Sequence, residues 1–249
     1  MIRIGLLGFG RAGQAVATAL MQDPRLELCW VARSHEPDPS AVVPGTTIPI
    51  FGTSDVHIGD WMDLFPVDAL VDFSRSESVY AYGEEVRKRK LMLINAVSHH
   101  EQSVLDYIAH IGTEAPVVCS PNITIGINFL MMAARFLKTV SPGVDIAIIE
   151  QHFRDKADIS GTALRIAREL DLPPQAVTSH RLGGIVGHHE VVFGFPHQTL
   201  RISHDAIRRE AFGTGAAFAL IELSQRPPGV YAFEDLLSLR LREMLFPPS

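Results

Sequence analysis

Between Glu150 and Leu164 the chain reads EQHFRDKADISGTAL, a run that combines a proton donor, cations and a helix-opening hydroxyl. Histidine is the residue type best suited to general acid work near neutral pH, which makes His152 the candidate proton donor. Lys156, four residues on, can bind a carboxylate or stabilise developing negative charge, and Arg154 adds a second cation. Ser160-Gly161-Thr162 stands directly before ALRIAREL, whose Leu164, Ile166 and Leu170 recur at roughly helical spacing. The unpaired amides of such a helix start bind carboxylate or phosphate. Alone, Ser-Gly-Thr before a helix is usually only a cap; the neighbouring His and Lys turn the reading towards a site for a small dianion. His152 and Lys156 are therefore the candidate catalytic residues, with Arg154, Ser160, Gly161 and Thr162 as candidate substrate ligands.

A second candidate site lies at the amino terminus, where Gly8, Gly10 and Gly13 form GxGxxG between an apolar strand and a helix. In that setting the backbone can approach a pyrophosphate at a helix N-terminus, which points to a dinucleotide. An acidic residue about twenty positions on would favour NAD. The chain has Val31-Ala32-Arg33-Ser34 there instead, so Arg33 can pair with a 2′-phosphate and Ser34 can donate to it. NADPH is the expected cofactor, with NADH as the second candidate.

These sites need elements to hold them. Ile2 to Leu7 (strand), Gly10 to Gln22 (helix) and Leu26 to Ala32 (strand) make a βαβ unit. Strands at Ala69 to Phe73, Leu91 to Ala96 and Val117 to Cys119 then alternate with helices at Ser76 to Lys90 and Glu101 to Ile111. Alternation of this kind predicts a Rossmann-type parallel sheet. After a helix at Asn128 to Val140 the pattern changes to strands at Val144 to Glu150, Glu190 to Phe195 and Leu200 to His204, which predicts a second α+β domain with a mixed sheet. The proline-containing runs Glu36 to Pro49 and Gln225 to Gly229 read as loops.

Composition narrows the function classes. The 249 residues, 47% apolar and 20% charged, suit a globular protein of two lobes. A net charge of -6, with Arg87-Lys88-Arg89-Lys90 as the longest basic run, argues against nucleic acid as the main partner. That run closes a predicted helix, where cations suit the dipole. No segment reaches membrane-spanning length, and Cys29 and Cys119 read as reduced thiols of a cytoplasmic protein. His99-His100 and His188-His189 belong to no ligand set of recognisable spacing, so no metal is expected.

Taken together these residues resemble the dihydrodipicolinate reductase family of bacterial lysine and diaminopimelate synthesis over nearly the whole chain. The resemblance rests on the glycine loop with Arg11-Ala12-Gly13, on Val71-Asp72-Phe73-Ser74, and on Ser120-Pro121-Asn122 with Gly126-Ile127-Asn128. Above all it rests on Glu150, His152, Lys156, Asp158 and Ser160 to Ala163. Gly187-x-His189-x-Val191-x-Phe193, Ile202-x-His204 and Phe212-Gly213-x-Gly215-Ala216 follow in the expected order. The resemblance implies hydride transfer from a nicotinamide to a cyclic imine with two carboxylates, His152 completing the reduction as the acid, with loss of water. It implies cofactor contacts at Phe9, Arg11, Ala12, Phe73, Ser74, Ala96, Val97, Ser120 and Asn122, and a homotetramer. It also implies a dinucleotide domain from residues 1–122 and 212–249 and a substrate and oligomerisation domain from residues 123–211.

Two departures touch the sites. Phe153 replaces the family's second histidine, in a link one residue short before Ser160, and Asn95-Ala96-Val97-Ser98 replaces Gly-Thr-Thr-Gly near the nicotinamide. Two alternatives therefore stand beside the family activity: an NADPH-dependent imine or carbonyl reductase with a refitted pocket, and a non-catalytic dinucleotide sensor. Arg154 and Arg181 are expected to help draw a dianion to a protein of negative charge.

Overall fold

The computed structural model describes residues 1–34, 38, 40–53 and 57–246. Its strands are β1 (Ile2–Leu7), β2 (Leu26–Arg33), β3 (Ile50–Gly52), β4 (Ala69–Asp72), β5 (Met92–Asn95), β6 (Pro116–Cys119), β7 (Asp145–His152), β8 (Val177–Arg181), β9 (Gly187–Phe195), β10 (Gln198–Ala206) and β11 (Gly229–Tyr231). Its helices are α1 (Arg11–Gln22), α2 (Ile58–Leu64), α3 (Val79–Arg89), α4 (Gln102–Ile111), α5 (Ile125–Val140), α6 (Gly161–Glu169), α7 (Glu210–Leu223) and α8 (Phe233–Leu245). They divide into two compact units: Met1–Thr124 with Arg209–Ser249, and Ile125–Arg208.

The first unit is built on a parallel sheet of order β11-β6-β5-β4-β1-β2-β3. Its inner strands read as near-continuous apolar runs, as a sheet covered on both faces requires. Ile4, Leu6, Val31, Leu70, Val71, Leu93 and Val117 are buried. The strand order reverses at β1, which pairs with β2 on one side and β4 on the other. Such a reversal opens a crevice at the carboxyl ends of the strands, where Gly8 follows β1 and Phe73 follows β4.

In the second unit the order is β10-β9-β7-β8, with β7 antiparallel to β9 and parallel to β8. Alternation selects the buried face. Ile146, Ile148, Glu150 and His152 share one side of β7, and Ile148 packs with Val191, Phe193, Ile127, Met131 and Ile166 under α5 and α6. At the carboxyl end of the strand that same face turns from Ile148 to Glu150 and His152, so the apolar core ends in a buried polar cluster.

Several elements differ from the sequence reading. The helix expected at Ser76 begins with a tight turn, Ser76–Ser78, before α3, and Lys90 closes it in the left-handed region at φ 56°. Helix α5 starts at Ile125 rather than Asn128, because its first turn packs on β10 and Gly126 gives His204 room. Strands β3, β8 and β11 and helix α2 were not expected. β3 and β11 are three residues long, too short for a periodic signal, and β11 begins at Gly229, inside the run read as a loop. Part of the other expected loop, Glu36 to Pro49, lies outside the described residues. Every member of the basic run meets a carboxylate: Arg87 with Glu84, Lys88 with Glu85, Arg89 with Asp63 and Lys90 with Glu114. Cys29 and Cys119 are free thiols that burial pushes up. Among the described residues no helix is long and apolar enough to cross a membrane.

Candidate active site

Glu150 organises the second unit. Its side chain is 0% exposed, and burying a carboxylate costs several kcal/mol unless donors replace its water. Here Oε1 accepts from the Ser179 hydroxyl at 2.7 Å, Arg181 Nη2 at 2.9 Å and the Ser160 amide at 3.2 Å. Oε2 accepts from His152 Nδ1 at 2.5 Å and Arg181 Nη1 at 3.1 Å. Burial alone would raise the carboxyl, but the bonds from Arg181, Ser179, His152 and the Ser160 amide outweigh it and bring the group to about 2. Glu150 is therefore ionised and can only accept.

The donors come from three places because of register. Ser179 lies opposite Glu150 and Arg181 opposite His152 across the parallel β7–β8 ladder. Gly187, at the start of β9, carries no side chain where the His152 ring lies; a Cβ there would sit 3.1 Å from Nε2. Ser160 caps α6, its hydroxyl accepting from the Ala163 amide. That hydroxyl also pairs with His189 Nε2 at 2.9 Å. His189 is 5% exposed and stands edge-on to His152 at 5.3 Å. Burial, helped by repulsion from His152 and His204, lowers it to about 4, so it is neutral near pH 7.

Arg181 uses every donor it has. Beyond its two bonds to Glu150, Nε donates to the Lys156 carbonyl at 2.9 Å, Nη1 to the His180 carbonyl and Nη2 to the Asp158 carbonyl at 2.8 Å. A guanidinium has five N–H groups, so Arg181 has none left for a direct bond to a ligand. Its work is to tie the Lys156–Asp158 loop to the end of β7. Of the other candidates, Lys156 is half-buried with no partner for its ammonium among the described residues, and Arg154 and Gly161 are exposed. A Cβ at Gly161 would meet nothing within 4 Å. Phe153 is 44% exposed. Sequence reasoning missed Ser179 and the roles of Glu150 and Arg181. The available signal was the i, i+2 spacing of Glu150 and His152, which puts both on one face of a strand.

In the first unit a cleft of about 580 Å³ follows the carboxyl ends of β1, β2 and β4. It is lined by Gly8, Phe9, Gly10, Arg33, Ser34, Phe73 and Ser74 among the expected cofactor residues, and by Arg75, which was not expected. The three glycines have different causes. Gly8 sits at φ +88° with the Phe73 carbonyl 2.6 Å from where a Cβ would be, and a Cβ on Gly13 would fall 1.8 Å from the Gly8 oxygen. Gly10 faces open space and caps α1 without a side chain, so nothing in the protein demands a glycine there. A ligand approaching the amides of Arg11 and Ala12 would, and a pyrophosphate fits.

Ser74 is less free than expected, since its amide and hydroxyl both donate to Asp72. Burial raises Asp72 despite these bonds and one from Tyr82 at 2.6 Å. Ala96 and Val97 follow β5, with the Val97 amide on the Asn95 side chain. Ser120 and Asn122 follow β6, where the Ser120 hydroxyl donates to the Asn122 carbonyl. None of these four lines the cleft. His99 pairs with Glu101, His100 with Asn95 and Ser76, and His188 with Asp205. Among the described residues no group of three or more His, Cys, Asp or Glu is placed to hold a metal.

Comparison with known proteins gives a consistent answer. The family model described as dihydrodipicolinate reductase, N-terminus, matches residues 2–123, and that described as dihydrodipicolinate reductase, C-terminus, matches residues 123–237. The chain is 32% identical to the 4-hydroxy-tetrahydrodipicolinate reductase of Caldanaerobacter subterraneus subsp. tengcongensis, over 95% of this chain and 98% of that one. It is also 32% identical to the enzyme of the same name from Laribacter hongkongensis, over 93% and 96%. A dipicolinate-bound dihydrodipicolinate reductase from Paenisporosarcina sp. TG-14 shares the fold at a TM-score of 0.81 and 20% identity, over 94% of this chain and 99% of that one.

The buried groups predict an acid response. His189, lowered to about 4, contributes stability that is complete above its ordinary 6.5 and is lost as pH falls towards 4. Glu150 contributes stability that is complete above 4.5 and is lost as pH falls towards 2. From pH 7 to pH 5 His189 therefore acts without Glu150, and His189→Gln should spare about 2 kcal/mol of the wild-type loss in urea unfolding. Parallel losses in both proteins would contradict the assignment.

Proposed function

Because this chain belongs to the dihydrodipicolinate reductase family, with matches running from residue 2 to residue 237, we propose that it reduces 4-hydroxy-tetrahydrodipicolinate to tetrahydrodipicolinate in lysine and diaminopimelate synthesis, with NADPH as reductant. The observation that carries this reading is the second unit's cluster. Among the described residues His152 Nε2 has no hydrogen-bond partner, and close in sequence lie the Lys156 ammonium and the Gly161 and Thr162 amides of a helix start, likewise without one. A proton donor beside a cradle for anions suits a dicarboxylate that must take up a proton.

The bound nicotinamide would supply the hydride, and the net reaction consumes NADPH and a proton and releases NADP⁺ and water. The amides of Arg11 and Ala12 would hold the pyrophosphate. Arg33 and Arg75 line the same cleft, and no carboxylate does among the described residues. Two guanidiniums without a repelling acid favour a 2′-phosphate over a bare hydroxyl. In the second unit Lys156, with Arg154 at the rim, would bind the dianion while Gly161 and Thr162 clamp one carboxylate. His152 would deliver the proton from Nε2. The Ser160 hydroxyl, accepting from the Ala163 amide and paired with His189 Nε2, holds the helix start that would receive that carboxylate.

The test follows NADPH absorbance with the freshly made condensation product of pyruvate and aspartate semialdehyde. Wild-type protein should oxidise NADPH, and His152→Gln should lower kcat roughly 10²-fold or more with the NADPH Kd within about twofold. No oxidation by folded, NADPH-binding protein would overturn the assignment and favour a refitted pocket or a sensor. Arg33→Ala should raise the KM for NADPH about tenfold, a loss of about 1.4 kcal/mol, and leave that for NADH unchanged. An equal change for both cofactors would remove Arg33 from 2′-phosphate recognition.

A further inference from the structure

We infer that Glu150 and Arg181 are positioning residues for the proposed reduction, holding His152 in the tautomer that presents Nε2 and holding Lys156 in place, without touching substrate. The inference rests on reading His152 as the proton donor.

Donor and acceptor accounting carries it. A carboxylate offers about four lone-pair directions, and Glu150 receives five N–H or O–H groups, all from protein. Arg181 spends its five N–H groups on Glu150 and on the carbonyls of Lys156, Asp158 and His180. Neither residue retains capacity for a ligand. An ionised carboxylate cannot donate, so the 2.5 Å contact with His152 obliges Nδ1 to carry a proton. Any proton that moves must then enter or leave at Nε2, and the ring cannot rotate without stranding a buried charge. The same guanidinium fixes the main chain at Lys156 and at Asp158, two residues before the helix-capping Ser160, whose amide is on Glu150 too. One buried ion pair thus sets the acid, the lysine loop and the helix start together. The positioning has the logic of a carboxylate that orients a catalytic histidine.

Two readouts on the full chain test this. In ¹⁵N-labelled protein at about pH 8.5, where imidazole is neutral, the His152 side chain should show a protonated Nδ1 and an unprotonated Nε2, with His152→Gln identifying the signals. Glu150→Gln should lose that pattern. It should also cut kcat roughly 10²-fold while KM for substrate and cofactor stay within about threefold. Arg181→Lys, which cannot make the forked contact, should do the same and serves if Glu150→Gln does not fold. A protonated Nε2 in neutral wild-type protein, or a folded Glu150→Gln or Arg181→Lys enzyme with unchanged kcat, would overturn the inference. The tautomer measurement needs no turnover, so it stands or falls even if the proposed substrate is wrong.

Discussion

A charge can be buried only where the fold replaces the water it loses, and in this protein that constraint falls on Glu150. Its carboxylate is fully enclosed, at a cost of several kcal/mol that only well-placed donors offset. The donors lie on β7 itself, on β8 and at the first turn of α6. For the carboxylate to be satisfied, β8 must pair in its observed register, the loop after His152 must return through Lys156 and Asp158, and α6 must begin at Ser160. Local geometry that would otherwise be loop conformation is thereby fixed by one unpaid charge.

The first unit solves a different problem by different means. A dinucleotide is recognised largely through its phosphates, and under the proposed function main-chain amides at a helix start would meet them rather than side chains. What this demands is space. Gly8 and Gly13 are required by the protein's own packing, whereas Gly10 is open. The cations Arg33 and Arg75 sit at the cleft wall beside that backbone turn. The second unit instead ends an apolar core in a polar cluster, where burial makes each contact directional and a missing partner costly.

Much of this was legible in the residues. The GxGxxG turn, the parallel alternation and the motif from Glu150 to Ala163 led to the Rossmann-type sheet, the mixed sheet and the family. Hydrophobic periodicity was blind to β8, whose inward positions are Val177, Ser179 and Arg181. Two of the three are polar because they face a carboxylate rather than a core, so the strand carries no apolar alternation. The same blindness hid Arg181, which charge counting assigned to attracting ligand although all its donors are spent internally. Arg75 escaped because nothing local marks it; the pairing of β1 with β4 brings it to the cleft. Partners across a sheet are set by register, which a single sequence states only indirectly.

The central claim is that the Glu150–Arg181 pair builds the substrate site while remaining closed to substrate. A crystal structure of the protein with pyridine-2,6-dicarboxylate addresses it most directly. The account predicts one carboxylate on the Gly161 and Thr162 amides, His152 Nε2 turned to the ligand, and Arg181 still joined to Glu150 through both of its terminal nitrogens. A ligand carboxylate on Arg181, with the guanidinium drawn away from Glu150, would contradict it.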